Sequence, residues 1–193
     1  QNTPSFTHSI DSRNLPSHQN GAHMFAYSGI PSVKLHNTKS LTTTYGMFRN
    51  SEVEEVVIED TSKVTNMTDT FFEASKYTGA GNISDWNVSK VENMYDMLNG
   101  AVNFNSDISK RKLGSLKDAR GLIWSNNSFS QENYESFLQT LANSNISPKA
   151  MGKVIHVSAT YCAQASLRNK LIARGFDLKD NGLDCQIKFD YTR

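Results

Sequence analysis

The sequence predicts an α/β protein, a solenoid of short parallel strands closed by an α/β cap at its C-terminal end. Three observations support this prediction. A short pattern recurs along the first two thirds of the chain, Val- and Ile-rich segments precede its copies, and the pattern ends near residue 129. A repeated unit with one apolar edge cannot bury that edge alone, so neighbouring copies stack and share one core.

The repeat is clearest in "DTSKVTNM" at positions 60–67 and "NVSKVENM" at positions 87–94. An apolar anchor recurs at spacings of 23, 27 and 25 residues, as Leu41, Val64, Val91 and Leu116. Seven residues after each anchor stand Phe48, Phe71, Leu98 and Ile123. Met24 and Phe25 fit the same pattern one copy earlier. We therefore expect about five stacked copies, with a period in the leucine-rich-repeat range.

Each copy is predicted to contain a strand and a turn. The segments "IPSVKL" and "VEEVVIE" are rich in Val and Ile with near-alternating apolar positions, which is typical of short strands. Eight residues before each anchor stand Val33, Val56, Ile83 and Ile108, and these four should stack in neighbouring strands facing one core. Pieces such as "MFRNS" and "MLNGA" are predicted as helical or 3₁₀ turns on the opposite side. Their Met and aromatic residues indicate core rather than a cofactor site, with Phe48, Phe71 and Leu98 buried in mutual contact.

Both ends of a solenoid would expose core and strand edges, so both flanks are predicted to be caps. Residues 1–22 are assigned to an irregular N-terminal cap, residues 23–129 to the solenoid, and residues 130–193 to an α/β C-terminal cap. Within that last segment Ser130 is the expected N-cap of a helix. The apolar face of this helix consists of Tyr134, Phe137, Leu138 and Leu141.

The rest of the C-terminal segment is predicted as strand, helix, turn and strand. "GKVIHVSAT" indicates a short strand, "DLKDNG" a turn and "CQIKFDY" a last strand. "CAQASLRNKLIARGF" indicates an amphipathic helix that ends at Gly175. Its inward residues are predicted to be Ala165, Leu167, Leu171 and Ile172.

Two stretches carry a resemblance to a known family. "NISDWNVSKVENMYDMLNGAVNFNSDIS" resembles the 26-residue variant of the BspA-like leucine-rich repeat of bacterial surface proteins. The next copy departs from it, because Arg111 stands where an aromatic residue is expected. "TYCAQASLRNKLIARGFDLKDNG" resembles the closing unit of the same family, with Phe176 in the usual Trp position. The resemblance implies a leucine-rich-repeat fold and a secreted or cell-surface protein linked to adhesion.

Composition excludes several classes of partner. The chain has 20 basic and 19 acidic residues, which is not the charge balance of a nucleic-acid-binding protein. No run approaches the roughly 18 apolar residues of a membrane-spanning helix, so no membrane insertion is expected. Cys162 and Cys185 could be buried free thiols, but their polar, turn-like surroundings favour a disulfide and hence an oxidising compartment.

We expect no enzyme activity, no cofactor and no metal. His156 and Cys162 stand six residues apart, but a disulfide would consume the thiol. His8, His18, His23 and His36 have irregular spacings, unlike metal ligands. The acidic stretches "EVEEVVIED" and "FDLKDNGLD" lack the spacing of a calcium loop. Asn-x-Ser/Thr triplets begin at Asn66, Asn82, Asn87, Asn126 and Asn145, and such Asn residues are expected to satisfy backbone groups in turns.

A long, rigid surface rich in side chains suits macromolecular binding. The leading hypothesis is an extracellular or bacterial cell-surface binding module with an adhesive role, which recognises a protein or glycan. The alternatives are a structural or tip subunit of a surface appendage such as a pilus or fibre and, less favoured, a secreted effector or enzyme. The predicted contact residues lie beside the repeating strand and are Lys34, Glu55, Val57, Asp85 and Lys110.

Overall fold

The computed structural model describes residues 8–13, 17–109, 112–125, 128–151 and 155–185. It is a mixed α/β protein with short parallel strands, which confirms that part of the predicted fold class. The strands are β1 (Ile10–Asp11), β2 (Ser32–Leu35), β3 (Glu55–Ile58), β4 (Ala80–Gly81), β5 (Ile155–His156) and β6 (Leu178–Lys179). The helices are a 3₁₀ helix (Ile83–Asp85), α1 (Gln131–Asn143), α2 (Pro148–Met151) and α3 (Ala165–Ala173).

The first four strands form one parallel sheet in chain order, β1-β2-β3-β4. Ile10 pairs with Val33, and Val33 pairs with Val56, so each strand repeats the register of the one before it. In β2 and β3 every second residue is buried, because alternate side chains of a strand point to opposite faces. The segment predicted as an irregular N-terminal cap therefore contributes a strand to the sheet.

The predicted alignment of Ile83 and Ile108 with Val33 and Val56 in strands is wrong. Val56 pairs with Gly81, while Ile83 lies in the 3₁₀ helix and Ile108 lies in no strand. The 3₁₀ helix takes up the extra residues of a longer copy, since the strand register advances by 25 residues and the anchor by 27. Both isoleucines are nevertheless buried in the shared core.

Asn82 continues the ladder where the strand has ended. The backbone amide of Ile58 donates to Asn82 Oδ1 over 3.0 Å, and Asn82 Nδ2 donates to the Ile58 carbonyl over 2.9 Å. The indole of Trp86 donates to the same Oδ1. An amide side chain thus replaces a paired backbone unit and holds the buried Trp86 in place.

A second ladder joins the copies away from the sheet. Isolated parallel bridges connect Asn20, Thr43, Asn66, Asn93 and Asp118 in order. From Thr43 onward these residues stand two positions after the anchors, so the ladder confirms the register of the sequence repeat. We call them the bridging residues.

The side chain of each bridging residue organises the turn that follows it. Its oxygen accepts a hydrogen bond from the backbone amide two residues later, at 2.9 to 3.1 Å in all five copies. This is the arrangement by which Asn, Asp and Thr mimic a backbone turn. The expectation that repeat asparagines serve backbone groups is confirmed at Asn66.

Every turn contains two left-handed residues, three and seven positions after the bridging residue. Their φ angles lie between 50° and 74° in all five copies. Such angles are uncommon for residues other than Gly, yet only three of the ten positions hold Gly. At one of these, Gly46, a Cβ atom would collide with the His23 ring of the preceding copy.

The core is a continuous stack of aromatic rings. Phe25, Phe48, Phe71, Tyr77, Phe104 and Phe129 follow one another with ring centroids 4.0 to 6.2 Å apart. The predicted burial of Phe48, Phe71 and Leu98 is confirmed, as is the contact between the two phenylalanines.

The C-terminal segment packs against the last copy. Ser130 caps α1 by accepting from the Asn133 amide, and the four predicted apolar residues of α1 are buried. The amide of Ala119 donates to the carbonyl of Ala150 over 2.7 Å, which joins the repeat to this segment. Buried residues of both regions belong to one hydrophobic cluster.

Two details of the C-terminal prediction are corrected. Ile172 is 43% exposed rather than inward, because Leu171 provides the buried contact of α3. The segment predicted as a turn contains β6, which pairs in parallel with β5.

Cys162 and Cys185 form the predicted disulfide, with Cα atoms 5.0 Å apart. The predicted last strand continues into residues 186–193, which lie outside the described residues.

Candidate binding surface

The structure brings three of the predicted contact residues together. Lys34 pairs with Val57 across β2 and β3, and Lys34 Nζ lies 3.4 Å from the carboxylate of Glu55. Glu55 also accepts a hydrogen bond from Ser32. The three side chains point away from the core, so the strand surface is a partly exposed patch whose charges are already paired.

The other two predicted contact residues do not extend this patch. Asp85 is exposed but lies in the 3₁₀ helix beyond the end of β4. Lys110 lies outside the described residues.

Exposed apolar side chains concentrate on a different surface. Among the described residues, the large hydrophobic side chains with substantial exposure are Met24, Tyr27, Tyr45, Tyr95, Trp124, Ile172 and Leu183. The first five belong to the segments that follow bridging residues, at 22–27, 45–50, 95–100 and 120–125. With the turn at 68–73, these segments form a surface that we call the turn face.

The turn face is ordered in two rows, with one residue per copy in each. The first row stands two positions after the bridging residues, as Ala22, Tyr45, Thr68, Tyr95 and Arg120. The second stands six positions after them, as Ala26, Arg49, Phe72, Asn99 and Trp124. From the second copy on, the backbone carbonyls of both rows accept hydrogen bonds from left-handed residues of the preceding copy. These bonds fix the spacing of the exposed side chains.

Arginine side chains lie over two rings of this surface. The guanidinium of Arg49 lies 4.1 Å from the ring centroid of Phe72 and is paired with Asp69. The guanidinium of Arg120 lies 5.2 Å from the ring centroid of Tyr95 and is bound to a bridging carboxylate. A cation over a ring is attracted by the negative face of the π system.

Carboxylates give the centre of the turn face a negative character. Burial raises the pKa of Asp69 above its ordinary value of 3.8, the Arg49 charge opposes this increase, and Asp96 adds to it. The charge of Asp96 is also the main reason that the pKa of Tyr95 lies above 10.0. These effects show that carboxylates of neighbouring copies interact at the centre of this surface.

A cleft of about 960 Å³ lies between α1 and a wall that includes Ser109, Lys112, Leu113 and Gly114. Most of the residues that line it carry polar side chains, among them Gln131, Glu135 and Gln139. Glu135 accepts hydrogen bonds from the backbone amides of Cys162 and Ala163, so it supports the start of the last helical segment.

The described part of the chain was also compared with three other kinds of site, which are a thiol nucleophile, a metal site and a membrane-spanning helix. The sulfur of Cys162 is in the disulfide, and the His156 ring packs 5.4 Å from the ring of Trp124. No group of three or more His, Cys, Asp or Glu residues in the described ranges could hold a metal ion. Among these same residues, no helix has the length and apolar character needed to cross a membrane.

The turn face is not among the surfaces predicted from the sequence. The Met and Phe positions of each copy are predicted as core, and apolar spacing does not mark the residues beside them as a surface. The signal is present in "YGMFR", "YDMLN" and "RGLIW", where an aromatic residue or Arg flanks the buried pair on one side or both.

A family model described as "Mycoplasma protein of unknown function, DUF285" matches residues 42–170, which is more than half of the chain. This family is associated with BspA-like surface proteins. No curated protein and no solved structure matches the chain.

Proposed function

This chain belongs to the DUF285 family, and we propose that it is a secreted or cell-surface binding module of bacterial origin with an adhesive role. The family has no established function. The support for the proposal therefore comes from the geometry of the exposed surfaces described above. The disulfide is compatible with an oxidising, extracellular location.

The proposed architecture is a leucine-rich-repeat solenoid. Equivalent residues of neighbouring copies contact each other in three places. Val33 pairs with Val56 in the sheet, Thr43 bridges to Asn66, and Phe48 stacks on Phe71. Stacked units of this kind give a rigid, extended surface whose side chains are held in fixed positions. Such preorganisation reduces the ordering cost of binding.

The observation that supports binding most directly is the exposed set of aromatic, Met and Arg side chains on the turn face. These residue types are enriched in the buried centres of protein interfaces and among the residues that dominate binding energy. The strand surface predicted from the sequence remains a second candidate, but Lys34 and Glu55 there are paired with each other.

The test is a binding screen of the oxidised chain against extracellular-matrix proteins and glycans, followed by surface-specific variants. We expect Tyr45→Ser with Tyr95→Ser to weaken binding by roughly tenfold or more, since each removes an exposed ring. The matched control is Lys34→Ser with Val57→Ser, which should change the affinity by less than about threefold.

Two outcomes would contradict different parts of the proposal, the first its function and the second the location of its site. An intact chain that binds none of the proteins or glycans would overturn the adhesive function. Binding that is lost only in the Lys34 and Val57 variant would keep the function and move the site to the strand surface.

A further inference from the structure

Two carboxylates on the turn face form no ion pair among the described residues, although the charge of Asp96 acts on Tyr95 and Arg120. Arg49 is paired with Asp69 and Arg120 with Asp118, whereas no ion pair involves Glu73 or Asp96. Glu73 accepts a hydrogen bond from the Asn50 amide group, and Asp96 accepts one from the amide group of Asn99. The turn face therefore combines exposed rings with negative charge that remains available to a partner.

We infer that the turn face recognises an extended, basic segment of a protein, whose Arg or Lys side chains lie against its rings. This inference rests on the proposed binding function and names the class of partner. A guanidinium over a Tyr or Trp ring gains a cation–π interaction, and a nearby carboxylate adds charge-assisted hydrogen bonds.

The molecule already shows this recognition within its own chain. Arg49 lies over Phe72 while paired with Asp69, and Arg120 lies over a ring while paired with a carboxylate. Both are guanidinium groups held between a ring and an acid. An incoming Arg would repeat that arrangement at Tyr45 or Trp124, with Asp96 or Glu73 supplying the charge.

The size of the surface limits the length of the partner segment. Neighbouring copies pair like strands, at about 4.8 Å, so five copies span roughly 20 Å. An extended chain advances about 3.3 Å per residue, which makes the turn face long enough for roughly six residues. The partner site is therefore a short linear segment or one exposed strand.

Charge distinguishes this partner from other macromolecules. A neutral glycan could stack on the rings but would leave Glu73 and Asp96 without a cation. A nucleic acid would place phosphates against the same carboxylates, which is unfavourable. A basic protein segment satisfies both the rings and the acids.

The test uses three probes with the intact, oxidised chain. They are a hexapeptide of alternating Arg and Gly, its counterpart with neutral citrulline in place of Arg, and a neutral tetrasaccharide. Each is immobilised at high density, and binding is followed by interferometry at low and physiological salt. We expect the Arg peptide to bind at least roughly tenfold more tightly than the citrulline peptide, with the difference reduced by salt.

Charge-neutral variants then locate the site. Glu73→Gln with Asp96→Asn keeps shape and hydrogen bonding while removing two charges. It should weaken binding of the Arg peptide by roughly five- to tenfold and leave the citrulline peptide unchanged. Glu54→Gln with Asp85→Asn removes the same charge elsewhere and should have no comparable effect. Unchanged thermal midpoints show that both variants fold.

Three results would overturn the inference. They are equal affinity for the Arg and citrulline peptides, preference for the tetrasaccharide, and an equal loss in both charge variants. Each leaves the adhesive function standing if the intact chain still binds a matrix protein or glycan in the screen above. Failure of that screen as well would overturn both proposals.

Discussion

At the scale of single residues, the bridging position explains why Asn recurs in this sequence. Asn20, Asn66 and Asn93 use their side-chain oxygen to hold the following turn, and Asp118 does the same. The turn requires a side-chain oxygen that reaches the amide two residues later, and Asn and Asp provide it as Oδ1 while Thr43 provides it as Oγ1. Asp118 differs because it also binds Arg120 through two side-chain hydrogen bonds.

This difference allows the two roles of Asp118 to be separated. Asp118→Asn keeps the turn and should cost less than about 1 kcal/mol at pH 7, as expected for an exposed ion pair. Asp118→Ala removes the turn hydrogen bond as well and should cost about 1 kcal/mol more. The measurement is the urea midpoint of each variant. Equal losses in the two variants would show that the turn bond contributes nothing.

The same pair of variants has a pH signature. The side-chain hydrogen bond from Arg120 holds the pKa of Asp118 below its ordinary value of 3.8. A depressed folded-state pKa stabilises the fold above the unfolded value, and this contribution is lost as the pH falls through the folded value. The stability advantage of the wild type over Asp118→Asn should therefore shrink below about pH 4. An advantage that grows with acid would contradict this assignment.

At the scale of elements, the ring stack couples copies that are far apart in sequence. The ring of Phe71 contacts Phe48 of the previous copy and Tyr77 of its own copy. It also contacts Trp86, which follows the 3₁₀ helix. Its neighbour Phe72 points to the turn face and lies under Arg49. Adjacent phenylalanines thus face the core and the surface.

Phe71→Ala should destabilise the protein by roughly 3–5 kcal/mol, the cost of removing a large aromatic side chain from a packed core. Phe72→Ala is the matched control, since it removes the same atoms from a partly exposed site and should cost about 1 kcal/mol. Chemical denaturation of both variants gives the comparison. A midpoint unchanged by Phe71→Ala would show that the residue does not support the core.

At the scale of the whole molecule, the repeat and the C-terminal segment share one hydrophobic cluster. The disulfide constrains the second of these regions by joining residues 23 positions apart. Within the same region, the Tyr134 hydroxyl and the Arg168 guanidinium both donate to Asp180, whose side chain is almost fully buried. Covalent and polar links therefore add to the apolar contacts that hold this region together.

Replacing both cysteines with Ser should destabilise the fold by roughly 3 kcal/mol, because the unfolded chain regains the entropy of an open loop. Trp86 lies inside the repeat, whereas Trp124 lies in its last copy and contacts His156 of β5, so fluorescence reports on the repeat and on its contact with the C-terminal region. We expect one shared unfolding transition that moves to lower denaturant. Reduction of the wild-type protein should reproduce the shift. Two separated transitions in the oxidised wild type would show that the regions fold independently.

The sequence predicts those features that depend on periodicity. The anchors, the buried phenylalanines and the apolar face of α1 follow from spacing alone. The positions of Ile83 and Ile172 could not be obtained this way. The extra residues of the longer copy around Ile83 could lie in a strand, a 3₁₀ helix or a turn and give the same spacing between anchors. Leu171 and Ile172 are both strongly apolar, so hydrophobicity does not show which of them is buried. The turn face was missed because exposure of a residue beside a core position depends on the left-handed backbone, which apolar spacing does not encode.

The bridging residues have a consequence for how this protein could diversify. The turns take their shape from one side-chain oxygen and inter-copy backbone bonds, and the two exposed rows enter that scaffold through backbone amides and carbonyls, which every residue type found there supplies. Residues as different as Ala, Thr, Tyr and Arg occupy one row without changing the turn. Mutation in these rows can therefore alter the ligand while the framework is inherited unchanged. Two homologues could have identical backbones on this surface and opposite ligand preferences.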